Sequence, residues 1–233
     1  MPILNSICII PARSGSKRIK NKNIKKFLGK PIISYSIKAA KKSGCFNKII
    51  VSTDSVKISK IAIKYGADVP FIRSKKLSND RAMLRPVIKD ALLKIIKIYG
   101  KPKYICYITS TAPLLMIKDL KYGYQKIKKR DAKIVFAITE YKYPTQRALK
   151  INKNEKIEMI SSKYRFVHSQ NLEKTFHDAG LFYWAKTDEI LKNTPTLSKN
   201  SYPIIIPNYR AVDIDDKNDW KSAEVAYKAF IKK

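Results

Sequence analysis

A chain of 233 residues with 45% apolar content is long enough to bury a full core as one domain spanning 1–233, and that content argues against disorder. Lys and Arg total 49 against 18 Asp and Glu, a formal net charge of +31, which implies attraction to polyanions: nucleic acid, anionic lipid or acidic small molecules. No apolar run reaches the length of a membrane span, no basic segment precedes the short apolar start, and Cys8, Cys45 and Cys106 form no CxxC pair, so a soluble cytoplasmic protein without signal peptide, disulfide framework or cysteine zinc site is expected.

Over the first 140 residues two periodicities alternate. Short β-branched or aromatic runs at 6–10, 48–53, 68–72, 104–109 and 133–139 predict strands. Between them Ile58, Ile61, Ala62 and Tyr65 fall at helical spacing, as do Val87, Ile88, Ala91, Leu92 and Ile95, and then Ile117, Leu120, Tyr124 and Ile127. Gly44, Gly66 and Gly100 stand where helix C-termini belong. Such alternation predicts an α/β fold with a mostly parallel sheet and helices on both faces. Ligands of such sheets bind beyond the carboxyl ends of the strands. Lys57, Lys60 and Lys64, then Lys89, Lys94 and Lys97, occupy the outer helix faces, so much of the charge reads as solvated surface.

After residue 140 the pattern breaks. Residues 147–160 read as a hairpin turning at Asn152–Asn154, within an excursion from the sheet over 140–180. "LFYW" (181–184) and "YPIIIP" (202–207) read as strands, and "DDKNDWKSAEVAYKAFIKK" (215–233) as a closing amphipathic helix.

Two motifs carry chemistry. The first is "IIPARSGSKRIKNKNI" (9–24), which leaves the first strand at its carboxyl end. It lacks the glycine spacing of a P-loop or a dinucleotide fingerprint. Ser14, Gly15 and Ser16 are nonetheless small enough for backbone N–H groups to approach a phosphate. Arg13 and Lys17 flank them, and Lys22 with Asn23 closes the stretch; a triphosphate offers oxyanions that a guanidinium fork and ammonium groups share. Asn23 has the donor and acceptor that reading a nucleobase edge requires. In so lysine-rich a chain, a phosphate loop and a solvated basic loop remain equal readings of this stretch alone.

The second motif, "AVDIDDKNDW" (211–220), concentrates acid in an acid-poor chain. If 211–215 are extended, Val212 and Ile214 point one way, and Asp213 and Asp215 share the other face. Two such carboxylates suit Mg²⁺, leaving most of its octahedral positions to water and phosphate. Helix capping accounts for Asp216 and Asp219, but not for Asp213 and Asp215. Thr53–Asp54 reads as an N-cap for the following helix. With only His168 and His177, a histidine-based metal site is not expected.

Together and in this order, the two motifs resemble the cytidylyltransferases that activate nine-carbon and eight-carbon 2-keto sugar acids. The resemblance runs from about residue 6 to 230, and "SKRIKNKNI", "NDRA" (79–82), "FHDAGLFYW" (176–184) and "VDID" bring it nearest the branch acting on pseudaminic acid. It implies a Rossmann-like nucleotide-diphospho-sugar transferase fold, with a β-rich dimerisation excursion, and transfer of CMP from CTP to the anomeric hydroxyl. It further implies CTP phosphate contacts from the segment Ala12–Lys17, with Arg13, Ser16 and Lys17 foremost and Lys22 against the α-phosphate. Asn23 and Arg73 are implied near cytosine, Arg81 at the nucleotide, and Asp213 and Asp215 on Mg²⁺, with Mn²⁺ as a substitute. His177 and Asp178, and less directly Gln146 and Arg147, are implied in the sugar pocket. The partners implied are CTP, a nonulosonic acid and a second copy of the chain, with no nucleic acid and no membrane.

The sequence departs from the branch at two places. Met83 and Leu84 replace small hydroxyl residues after "NDRA", and Thr109 stands where sialic acid enzymes carry glutamine. Sialic, legionaminic and Kdo-type acids remain alternative acceptors. A basic nucleic-acid-binding protein remains the reading from another class, which the dispersal of the lysines and the aspartate pair disfavour.

Overall fold

In the computed structural model, which describes residues 4–129 and 131–230, strands and helices alternate as the periodicities predict. The strands are β1 (Ser6–Pro11), β2 (Lys26–Phe27), β3 (Lys30–Pro31), β4 (Lys48–Ser52), β5 (Tyr104–Ile108), β6 (Ile134–Glu140), β7 (Leu149–Ile151), β8 (Ile157–Met159), β9 (Phe176–Lys186) and β10 (Ser201–Ile205). The helices are α1 (Ile33–Ser43), α2 (Val56–Lys64), α3 (Leu84–Tyr99), α4 (Ile117–Ile127), α5 (Thr187–Leu191) and α6 (Lys217–Phe230). No helix among the described residues is long and apolar enough to cross a membrane. Cys8, Cys45 and Cys106 are free and buried.

Six strands form the central sheet in the order β10-β6-β9-β5-β1-β4. β1 pairs in parallel with both β4 and β5, and β10 with β6. Residues 6–10 of β1 and all of β5 are buried because both faces of the sheet are covered, which is why these strands read as continuous apolar runs. On one face pack Ile33 and Ile37 of α1, Ile58 and Ala62 of α2, and Leu120 and Ile127 of α4. On the other pack Ile88, Leu92 and Ile95 of α3 with Ile190 of α5.

A third, smaller core sits apart from the sheet. Ile19 of the opening loop, Phe27 of β2 and Ile32 meet Ile214, Trp220 and Ala223. It docks the C-terminal segment on the N-terminal loop, and it has no counterpart in the strand–helix alternation.

The elements depart from the sequence reading at 68–72, at 181–184 and at the start of the closing helix. Residues 68–72 form no strand; they touch the edge of the sheet only through isolated parallel bridges, Ile50 with Asp68 and Thr53 with Ile72. The run at 181–184 is the end of an eleven-residue strand, β9, antiparallel to both β5 and β6 in the middle of the sheet. The chain therefore leaves the sheet after Glu140 and rejoins it at Phe176, inside the expected 140–180 excursion. The closing helix starts at Lys217, and residues 231–233 of the expected stretch lie outside the described residues. The hairpin itself forms as read, with β7 against β8 and the N–H of Asn152 donating to the carbonyl of Lys156.

The reversal of β9 has a consequence for chemistry. An antiparallel strand presents its amino-terminal end where its parallel neighbours present their carboxyl ends. Its register against β6 shifts between Phe136–Tyr183 and Ile138–Asp178, so residues 179–182 bulge. Gly180, at φ +64°, takes the left-handed conformation in that bulge. A Cβ there would stand 4.0 Å from Cγ of Asp213.

Candidate active site

A cavity of about 320 Å³ opens at the carboxyl ends of β1 and β5. One wall is the opening loop, contributing Arg13, Ser16, Lys17, Arg18, Lys22 and Asn23. The opposite wall holds Asp213 and Asp215; Arg73 and the turn around Asn79 complete it, and Thr109–Thr111 after β5 lie at its base. The two motifs of the sequence thus face one another across a single space.

The acidic wall is built as its alternation predicts. Ile214 is fully buried and Val212 half-buried in the third core, which turns Asp213 and Asp215 to the cavity. Asp216 caps α6 by accepting the N–H groups of Asn218 (2.7 Å) and Asp219 (3.0 Å). Asp219 returns the contact, accepting from the N–H groups of Asp215 and Asp216 at 2.9 Å each, so the turn bearing Asp215 is locked to the helix start. Burial, and then the charge of Asp215, raise the pKa of the Asp213 carboxyl. Lys22 reaches across to this wall, its Nζ donating to the carbonyl of Ile214 at 2.7 Å and lying 3.4 Å from Asp215 Oδ1. Arg18 Nη2 is 2.8 Å from the same oxygen.

The cationic wall is shaped by acids. Asp54 accepts the N–H of Ser14 at 2.8 Å and its hydroxyl at 2.7 Å, fixing the loop just before Gly15. It is not the N-cap of α2: Ser55 fills that place, accepting from the N–H of Ile58. Asp80 pairs with Arg13 Nη1 and with Lys17 Nζ, each at 2.6 Å. Those contacts hold its carboxyl below the usual carboxylate range.

The residues implied at the base lie deeper. Asn23 is buried, its Nδ2 donating to the carbonyl of Arg13 and its Oδ1 accepting from Ser110 Oγ, both at 2.7 Å. One amide N–H and one lone pair remain available on it. Arg73 is buried as well; its Nε donates to Ser78 Oγ at 3.1 Å, and burial pushes its guanidinium pKa down.

Other predicted residues stand off the cavity. Ala12 is buried beneath the loop, its N–H donating to Ser52. Ser14 and Gly15 form the turn behind the lining residues, and Arg81 is exposed at the rim, its N–H bonded to Asn79 Oδ1. Met83 is exposed, whereas Leu84 lines the cavity.

A second, more open cavity of about 840 Å³ is lined by His177 and Asp178 together with Phe136, Tyr141, Thr196 and Lys199. Asp178 accepts from the hydroxyl of Tyr183 and from the N–H of Gly180, each at 2.8 Å. The Tyr183 ring stacks on Tyr107, with centroids 4.5 Å apart, and Tyr107 lines the first cavity. Burial keeps both phenols protonated, Tyr107 pushed up to about 12 and Tyr183 further. Gln146 and Arg147 lie on a short turn, Thr145–Arg147, and line neither cavity; Gln146 donates to the carbonyl of Glu173 instead.

A cavity at strand ends, with a cation-rich loop facing paired carboxylates, is the layout of a nucleotidyltransferase. The family described as cytidylyltransferase matches residues 7–224, and the chain belongs to that family. It is 40% identical over 225 residues to pseudaminic acid cytidylyltransferase of Campylobacter jejuni, covering 97% of each chain. It is 34% identical over 224 residues to CMP-N,N'-diacetyllegionaminic acid synthase of the same species, covering 94% of this chain and 93% of that one. The solved structure of CMP:2-keto-3-deoxy-manno-octonic acid synthetase complexed with CTP superposes with a TM-score of 0.70 over 97% of this chain and 99% of its own, at 13% identity, a likeness of fold.

Proposed function

We propose that the protein transfers CMP from CTP to the anomeric hydroxyl of a nine-carbon 2-keto sugar acid, pseudaminic acid, and releases pyrophosphate. The observation that carries the acceptor is the 40% identity to pseudaminic acid cytidylyltransferase along nearly the whole of both chains.

The proposed roles follow the walls of the cavity. Arg13, Ser16 and Lys17 bind the β- and γ-phosphates, and Lys22 bridges from the α-phosphate to the acidic wall. The remaining N–H and lone pair of Asn23, with the two terminal nitrogens of Arg73, read cytosine. The anomeric oxygen attacks the α-phosphorus in line, the bond to the bridging oxygen of the β-phosphate breaks, and the hydroxyl proton passes to solvent. Positioning and charge neutralisation dominate such a reaction.

Asp213 and Asp215 are the proposed holders of Mg²⁺, or of Mn²⁺ in its place. Their fit to a divalent ion rests on an all-oxygen donor pair facing the phosphate loop, and on the raised pKa of Asp213, which a neighbouring cation reverses. When bound, the ion supplies neutralisation of charge on the phosphate oxygens.

His177 and Asp178 are proposed to take the sugar acid from the second cavity, with Asp178 accepting from its hydroxyl or amide groups. Homodimerisation is proposed through the 141–175 excursion, whose Ile151, Ile157 and Phe166 are 75%, 72% and 91% exposed. A cytoplasmic location is proposed from the three free cysteines.

Incubation with CTP, Mg²⁺ and a panel of pseudaminic, legionaminic, N-acetylneuraminic and Kdo acids, read as pyrophosphate release, tests the proposal. Pseudaminic acid is expected to give the highest kcat/KM. Faster turnover of another acid reassigns the acceptor, and no release with any of them removes the reaction.

A further inference from the structure

Asp80 is one of only 18 acidic residues against 49 basic ones, yet it sits on the two cations that bracket the small-residue turn of the opening loop. Its oxygens divide the work: Oδ1 meets Arg13 Nη1 and Oδ2 meets Lys17 Nζ, each at 2.6 Å. Two oxyanions shared between a guanidinium and an ammonium is the contact a phosphate group would make with the same pair.

The carboxylate is held there by its own turn. Asn79 Nδ2 donates to the carbonyl of Lys76 at 2.8 Å, and the N–H of Arg81 donates to Asn79 Oδ1 at 2.9 Å, so the residues on both sides of Asp80 are tied. One step earlier, Ser78 Oγ accepts from Arg73 and donates to Ser74. The turn is therefore anchored to Arg73, which lines the same cavity, as do Asn79 and Ala82. Asp80 itself remains 40% exposed and Lys17 81% exposed, so the ion pairs are open to water and readily exchanged.

We propose that Asp80 is a displaceable internal anion that occupies the phosphate position of the opening loop and competes with the nucleotide for Arg13 and Lys17. It keeps the two like charges together while the site is empty. It lowers affinity for the triphosphate and returns to the cations as pyrophosphate departs, which speeds release of that product. The inference rests on the reading that this loop binds the CTP phosphates.

Titration of the full chain with inorganic pyrophosphate, in chelator and without added metal, tests the competition free of any metal contribution. Asp80→Asn and Asp80→Ala are each expected to bind pyrophosphate about threefold to tenfold more tightly than wild type, a range set by two exposed ion pairs. The gap is expected to shrink as salt rises. In turnover, pyrophosphate becomes a correspondingly stronger product inhibitor. Equal or weaker binding by both variants overturns the proposal, because a carboxylate that only positions the cations would weaken binding when removed. Lys17→Ala separates the two inferences. If it loses affinity while the Asp80 variants do not gain it, the phosphate loop stands and the competition fails; if it binds as wild type does, both fail.

Discussion

Lys17 and Asp213 stand at opposite ends of the chain and are the residues proposed for phosphate and metal, and the variants that probe them should leave the fold intact. Removing one electrostatic contact to a developing charge commonly costs on the order of 10²–10³ in rate. Lys17→Ala and Asp213→Asn are each expected to lower pyrophosphate release by about that factor with an unchanged urea midpoint. An Asp213→Asn protein that turns over normally would remove the metal assignment. Asp54 acts one step back: it holds both the N–H and the hydroxyl of Ser14. Asp54→Ala is expected to raise KM for CTP about tenfold, as lost hydrogen bonds to a charged group predict, with a smaller change in kcat. A kcat loss without a KM change would instead place Asp54 in the chemical step. The sequence reading takes Asp54 for a helix cap and Asp80 only as part of "NDRA", so the contacts of both with the loop escape it. The signal was present, since each is a rare acid in a loop after an expected strand, but nothing local says that an acid meets a particular loop residue forty or more positions away.

At the level of elements, α6 is what brings the acidic wall to the loop. Trp220 is 6% exposed, meets Phe27 edge-on with ring centroids 5.6 Å apart, and lies under Lys25 Nζ at 4.9 Å. Trp220→Ala is expected to destabilise the fold by about 3 kcal/mol in urea titration, the usual scale for emptying an aromatic site. It should also lower kcat/KM for CTP at temperatures where the variant stays folded, because Asp213 and Asp215 lose their support. Full activity in a destabilised variant would show that the third core serves stability alone. α4 shows a different constraint: a Cβ at Gly123 would come within 2.6 Å of the buried Trp184 ring. The helix approaches β9 so closely that only glycine fits, and the indole N–H uses the closeness to reach the carbonyl of Leu120 at 3.2 Å.

Taken whole, the molecule carries a formal net charge of +31, and only a few of its acids are buried or face the cavity. Asp119 of α4 and Arg210, just before the acidic motif, form a buried ion pair with two contacts, one of 3.2 Å. Removing one partner of such a pair leaves an unpaired buried charge, so Asp119→Ala is expected to cost about 3–5 kcal/mol by chemical denaturation. A cost below about 1 kcal/mol, the value of an exposed pair, would mean that water reaches Arg210.

The sequence determined the local elements, because hydrophobic period and caps act over a few residues: α2, α3 and α4 stand where Ile58, Ile88 and Leu120 place them, and Asp216 caps α6 as read. It also determined which way the acidic motif faces, since the alternation of Val212 and Ile214 with Asp213 and Asp215 is itself a local pattern. Only the tertiary structure decided the direction of β9, the fate of 68–72 at the sheet edge, and the contacts that Asp54 and Asp80 make with the loop. Strand direction and edge pairing depend on which neighbours remain to be paired. Which loop residues Asp54 and Asp80 meet depends on distances that no spacing along the chain encodes.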